Sequence, residues 1–343
     1  MRAYSIVIKN PKTGEIVKPA SLAPLGLNAT YASFDGNGIN LPGALGIEID
    51  APVSAFATPT GPGAYLKIWG VSLAEIYQAS DLNGLSIEVY AGMQKGLPLA
   101  KPKQYGLIFA GSINKAFGNW INTEMSLDLI DVADMGSPDA PKNIVLDWAQ
   151  GQTLEAALTT TLANAFPGYT STFSISADLV APESIVGYYS SMVDLAKDVL
   201  AASLYIINDP TYTGVQIFQQ QGAFSIYDGT TPTTPTILAF EDLIGQPTWI
   251  DTGTVQFKTV MRADLVLNDY VSFPTVAATQ TAGGAPAFNS GLKNKSAFSG
   301  TYQITDIHHF GNFRQPDAAS WNTTFNAIPA QAQANAASAP VSL

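Results

Sequence analysis

The chain has 343 residues, 46% of them hydrophobic and only 13% charged, with a net charge of -11. That length suits two or three domains with a sizeable core. The absence of cysteine excludes a disulfide scaffold, a thiol nucleophile and a thiolate metal site. An acidic chain lacks the cations that displace nucleic-acid counterions, and no run of about 18 apolar residues is present to span a membrane as a helix.

In chain order, Ala3 to Lys9 alternates like a strand, without the apolar block of a signal peptide, so the expectation is folding in a cytoplasm. Gly-rich turns follow at Asp35 to Gly38 and Pro42-Gly43. Gly46 to Asp50, Tyr65 to Trp69 and Leu85 to Ala91 read as strands. Ser72 and Glu75 form the capping box of a short helix running to about Ala79. The loop from Gly92 to Tyr105 carries three lysines.

The texture changes at 131. Residues 131–200 hold nine acids and two bases, whereas residues 1–130 balance nine of each. A polar linker runs from Asp131 to Pro141, and the strand Asn143 to Trp148 follows. Thr153 caps a predicted helix to about Phe166, with Leu154, Ala157, Leu158 and Leu162 on one face. A second helix is predicted from Ser184 to about Leu204, burying Val186, Met192, Leu195 and Val199. Strands resume at Gly214 to Phe218, Ala223 to Tyr227 and Thr254 to Leu267. Residues 276–297 are a Gly/Ala/Thr/Asn-rich loop, and 329–343 read as a disordered tail.

One segment occurs twice. Phe109 to Trp120 followed by Thr123 to Ile130 parallels Tyr302 to Phe313 followed by Trp321 to Ile328. Each copy is read as a strand reaching a Phe-Gly-Asn-aromatic turn (Phe117, Gly118, Asn119, Trp120; Phe310, Gly311, Asn312, Phe313) and a returning strand, with about five extra residues in the second copy. A hairpin used twice points to two related β-domains and to a builder of rings or tubes.

Catalytic motifs are scarce. His308 and His309 are strand neighbours and point to opposite faces, so one metal does not easily take both. Asp306 shares a face with His308, which permits a carboxylate–histidine pair, but no third ligand is near. Glu241-Asp242 and Asp128/Asp131 are the carboxylate pairs a glycosidase would need across a cleft, and turn or solvated-face roles explain them as well. Asp35-Gly-Asn-Gly38 lacks the downstream ligands of a calcium loop. The five tryptophans are dispersed, and four sit in or beside strand-like runs, which favours packing over a glycan platform.

Gly300 to Arg314 and Ser320 to Ala327 resemble the carboxy-terminal signature of baseplate hub proteins of contractile-tail phages: a strand reaching histidine, a small polar turn, and a returning Trp-x-Thr strand. Gly245 to Ile250 and Thr254 to Val271 are similar to that family's second tube domain. Asn268-Asp269 stands where the family often has Gly-Asp, and Asn tolerates the same left-handed turn. Leu66 to Ser72, Tyr90 to Gly92 and Gly106 to Gly111 are similar to its first tube domain.

The resemblance implies an α+β, mostly β fold: two related tube-type β-barrel domains (1–131 and 235–328), a helix-containing acidic insert (132–234) and the tail (329–343). It implies a non-enzymatic homotrimer without cofactor. Such a ring joins a hexameric tail tube, or a tube initiator, to a trimeric central spike, among other baseplate proteins and the tape measure protein. Genomic DNA passes in transit only, without stable membrane insertion. Assembly would take place in the host cytoplasm and the product would sit in the virion tail. Six similar faces from three chains is what a duplicated domain provides, and acids lining the channel would let DNA slide. Asp306 and Asp317 are candidates for that lining. The rival readings are a tail-associated cell-wall hydrolase using a carboxylate pair and a glycan-binding module.

Overall fold

Strict alternation organises the first half of the chain. In β3 (Gly46–Val53), Ile47, Ile49, Ala51 and Val53 turn inward while Glu48 and Asp50 turn outward. β1 (Arg2–Lys9), β2 (Tyr31–Ala32), β4 (Gly63–Trp69), β5 (Ser86–Met93), β6 (Gly106–Ile121) and β7 (Glu124–Val132) complete this unit, with the helix α1 (Leu73–Tyr77) after β4. Ser72 and Glu75 cap α1 reciprocally, as expected. The computed structural model describes every residue except 20–21, 23–26, 59–62, 95–101, 133–141, 232–233, 274–297, 299 and 331–343. The loop expected at 276–297, most of the 131–141 linker and nearly all of the tail lie outside the described residues.

The middle of the chain carries its own core. It comprises β8 (Ile144–Trp148), α2 (Leu154–Ala165), β9 (Thr170–Ser174), β10 (Ile185–Tyr189), α3 (Met192–Ile207), β11 (Gln216–Gln220) and β12 (Ala223–Tyr227). Trp148, Leu158, Leu195 and Phe224 pack together there, and Phe56 reaches in from the segment after β3. Thr153 caps α2 as predicted, a contribution of about 1 kcal/mol. The helix expected from Ser184 does not form over its first turns. Ile185–Tyr189 is rich in β-branched and aromatic residues and pairs with β8, leaving Val186 exposed. Ser191 then caps α3, which does bury Met192, Leu195 and Val199.

β13 (Thr236–Ile237), β14 (Thr248–Trp249), β15 (Val255–Val260), β16 (Tyr270–Ser272), β17 (Thr301–Asn312) and β18 (Trp321–Pro329) form the last unit around Phe257, Phe325, Ile304 and Val271. The strand expected over Thr254 to Leu267 ends at Val260. From there the chain leaves the ladder, and it turns left-handed at Asn268 (φ 73°).

The two outer units repeat one strand order. The first runs β3-β4-β7-β6-β5-β1 and the second β14-β15-β18-β17-β16-β13. All neighbour pairs within each are antiparallel except β13–β16, which is parallel where β5–β1 is antiparallel. Both long hairpins carry a one-residue slip, between Ile113 and Lys115 in β6 and between Ile304 and Asp306 in β17. The register also corrects the sequence alignment. Gly118 faces Leu127 and Gly311 faces Trp321, so Trp321 matches Leu127, four residues beyond Thr123. Burial agrees: Ser126–Asp131 and Ser320–Phe325 each read four buried, one less buried (Ile130 exposed, Thr324 half-buried), one buried.

Two further expectations change. The first Phe-Gly-Asn-aromatic motif lies inside β6 and not at a turn, whereas the second ends β17 at Asn312, with Phe313 in the bend that follows. The first hairpin turns at Asn122-Thr123, where Asn122 is left-handed (φ 55°). Nor do two separate barrels form from the described strands: one open 13-stranded sheet carries both units, because β17 pairs with β3 across them.

Candidate functional site

The seam between the units is six residue pairs long, from Ile307 opposite Val53 to Asn312 opposite Glu48. Its open face is polar by strand alternation. His308 Nε2 lies 2.6 Å from Asp50 Oδ1, and Asn312 Nδ2 donates to Glu48 Oε1 at 3.2 Å. Glu48 Oε1 also accepts from Trp69 Nε1 at 3.2 Å, and Lys67 Nζ sits 4.2 Å over the Trp69 ring. Lys67 is 3.7 Å from Asp128. Asp128 Oδ2 accepts from Asn119 Nδ2 at 2.9 Å and Ser126 Oγ at 3.0 Å, and Oδ1 accepts from Tyr65. Burial, then the bond to Asp128, holds the Tyr65 phenol well above its ordinary range. Each motif asparagine thus anchors to a carboxylate, Asn119 within the first unit and Asn312 across the seam.

The reverse face is packed. Phe313 meets Tyr4 edge-on, and buried Trp321 joins the first unit's core with Met261 and Ala263, its Nε1 donating to Gly92 O at 3.0 Å. Arg2 clasps the connection after β17 through Asn312 O at 2.7 Å and Asp317 O at 2.5 Å. Gly311 is glycine for space: a Cβ there would lie 2.8 Å from Trp321 Cζ3. Gly118 plays the same part under Ile76, where a Cβ would meet Cγ2 at 2.5 Å.

The remaining sequence candidates divide. Phe117 and Trp120 stay exposed on β6, and Phe310 on β17. Asp306 sits half-buried at the β17 slip, bonded by Thr305 and close enough to Tyr227 to help raise its phenol. Asp317 is exposed in the connection between β17 and β18. The histidines face opposite ways, as strand neighbours must, but the partner of His308 is Asp50 and not Asp306, because β3 supplies a carboxylate directly beside it. His309 is fully buried, its Nδ1 3.0 Å from Thr323 Oγ1, and burial followed by His308 pushes its pKa down to about 3. Glu48, Asp50, Lys67 and Tyr65 were not singled out from sequence. Their signal was the polar phase of Gly46 to Asp50 and Tyr65 to Trp69, which alternation alone reveals.

No poised catalytic pair emerges from the expected carboxylates. Asp128 and Asp131 point to opposite sides of β7. Asp242 is buried, bonded to Gln104 at 3.2 Å and 3.9 Å from Arg262, while Glu241 is exposed. A cleft of about 440 Å³ is lined by Asp178, Asp209 and Asp228. There Asp228 accepts from Ser176 N, Tyr212 Oη and both Thr230 donors, and Asp209 from both Thr211 donors. Among the described residues no group of three or more His, Asp or Glu side chains is placed to hold a metal.

No protein-family model matches this sequence, and no curated protein matches it either. Its structural neighbours are tail and secretion proteins. The chain is similar to the Escherichia coli c3393 protein, described as a type VI secretion component resembling the T4 tail proteins gp27 and gp5 (12% identity, TM-score 0.49, 84% of this chain and 75% of that one). It is also similar to the 43 kDa tail protein of prophage MuSo2 from Shewanella oneidensis (10% identity, TM-score 0.49, 95% and 97%). A third neighbour is a Francisella PdpA-VgrG complex (7% identity, TM-score 0.49, 96% and 58%).

Proposed function

We propose that this protein is a structural baseplate hub of a contractile phage tail, a homotrimeric ring that joins the sixfold tail tube to the threefold central spike and leaves an axial passage for DNA. The observation that carries the reading is the repeated strand order, β3-β4-β7-β6-β5-β1 and β14-β15-β18-β17-β16-β13, in units already joined side by side through β17 and β3. Three such chains present six similar units, which is how a threefold ring matches a sixfold one. The resemblance of Gly300 to Arg314 and Ser320 to Ala327 to hub signatures points the same way.

In this reading the units divide at 1–131 and 235–328, with residues 132–234 as a projecting insert. The partners are the spike, the tube or its initiator, neighbouring baseplate proteins and the tape measure protein. Asp306 and Asp317 remain the proposed channel-facing acids, and Glu48 and Asp50 join them because they turn to the open face of the seam. The ring performs no catalysis. It adapts symmetry and transmits the tube's motion to the spike. The mass of the purified chain in solution tests this: three chains support it, and a stable monomer that hydrolyses peptidoglycan favours the hydrolase reading.

A further inference from the structure

The acidic insert contains an edge strand without the usual protections. β10 pairs with β8 alone, in unbroken register from Ile185 opposite Trp148 to Tyr189 opposite Ile144, and among the described residues no strand pairs with its other edge. It holds no charged residue, no proline and no bulge, and such an edge is a template for another chain. Burial reflects the open side. The inward residues of β8 (Ile144, Leu146, Trp148) are buried beneath α2, whereas those of β10 (Ile185, Gly187, Tyr189) are only half-buried.

The two faces of β10 differ in chemistry. On the outer face Tyr188 stands opposite Val145, and Val186 opposite Asp147. Tyr188 is 77% and Val186 57% exposed, and Val145 is exposed beside them. These side chains form one apolar cross-strand patch next to a carboxylate. On the inner face the Tyr189 ring folds back over Gly187, where a Cβ would collide with its phenol, and its hydroxyl donates to Asp198 of α3. An exposed carboxylate therefore lies beneath the middle of the strand, with exposed Asp194 on the preceding turn of α3.

Charge selects the occupant. Residues 131–200 carry nine acids against two bases, Lys142 and Lys197. A second copy would bring the same excess of acid, and nucleic acids and anionic membranes are repelled as well. We propose that β10 accepts an extended, basic segment of a different protein as a third strand of the β8–β10 sheet. Alternate residues of that segment cover Val186 and Tyr188 with apolar side chains and reach Asp198 with lysine or arginine. This contact does not depend on the ring.

The probe is a fluorescent peptide of alternating lysine and valine, about six residues long as strands commonly are, titrated with the full chain and read by anisotropy. Saturable binding is expected. Replacing the lysines of the peptide by glutamate, or its valines by proline, should abolish binding. The double variant Val186→Ser with Tyr188→Ser, both exposed side chains, should weaken it by about tenfold with thermal unfolding unchanged, and Asp198→Asn should weaken it as well. Undiminished binding to the double variant, equal binding of the glutamate peptide, or no binding of the lysine peptide to the wild-type chain overturns the proposal. A native mass that the double variant lowers would assign the edge to a second copy and overturn it too.

Discussion

The ring of Phe313 lies edge-on against that of Tyr4, centroids 4.9 Å apart, and fastens the second hairpin to the first unit's core. Aromatic pairs of this geometry contribute about 0.5–1.5 kcal/mol beyond area burial. Phe313→Ala should therefore destabilise the single chain by about 2–3 kcal/mol in urea unfolding, since the side chain is only partly buried. Trp120→Ala, at the corresponding position but largely exposed, should shift folding by less than about 0.5 kcal/mol. Equal effects on folding from the two variants would contradict their assigned roles.

Gly118 and Gly311 give a second expectation. An added Cβ would sit 2.5 Å from Ile76 Cγ2 in one case and 2.8 Å from Trp321 Cζ3 in the other. Gly118→Ala and Gly311→Ala should each cost about 1–3 kcal/mol through overpacking. At Gly118 the Cβ would also lie 2.8 Å from Ile76 Cα and Cβ, so adding Ile76→Ala should not recover the first loss, and a double variant as stable as Ile76→Ala alone would argue against that contact.

His309 predicts an acid-side loss of stability. Its folded pKa of about 3 lies below the ordinary value of 6.5, so the unfolded chain binds the proton that the folded chain refuses. The stabilisation is complete above pH 6.5 and falls by about 1.4 kcal/mol per unit as the pH drops toward 3. Between pH 7 and 5 the native chain should lose about 2 kcal/mol more than His309→Leu. Identical slopes in chemical denaturation would rule this out.

Asp131 behaves oppositely. Burial raises its carboxyl well above the carboxylate range, and among the described residues neither oxygen has a hydrogen-bond partner. Its contribution is complete below pH 3.8 and is lost as the pH rises through the folded value. Asp131→Asn should thus stabilise by about 1–3 kcal/mol at pH 7 and by little at pH 3. A destabilised variant at pH 7 would count against a buried, unpaired carboxyl.

Much of this was readable residue by residue. The Ser72 and Thr153 caps, the left-handed Asn268 and the opposed histidines follow from local chemistry, and each is found where the sequence put it. The helix expected from Ser184 was misread because Ile185, Val186 and Tyr189 satisfy either periodicity, and pairing with β8 decides between them. The duplication showed as Phe-Gly-Asn, but its returning strands were set four residues out, since alternation leaves any even shift equally good. The seam was beyond reach: Asp50 meets His308 across 258 positions, a pairing fixed by sheet order and not by any local pattern.

The native mass and averaged electron-microscope images of the purified chain test the central claim most directly. Three chains arranged as six similar lobes around an open axial hole is the predicted result. A monomer, or a closed particle with no axial passage, would contradict it.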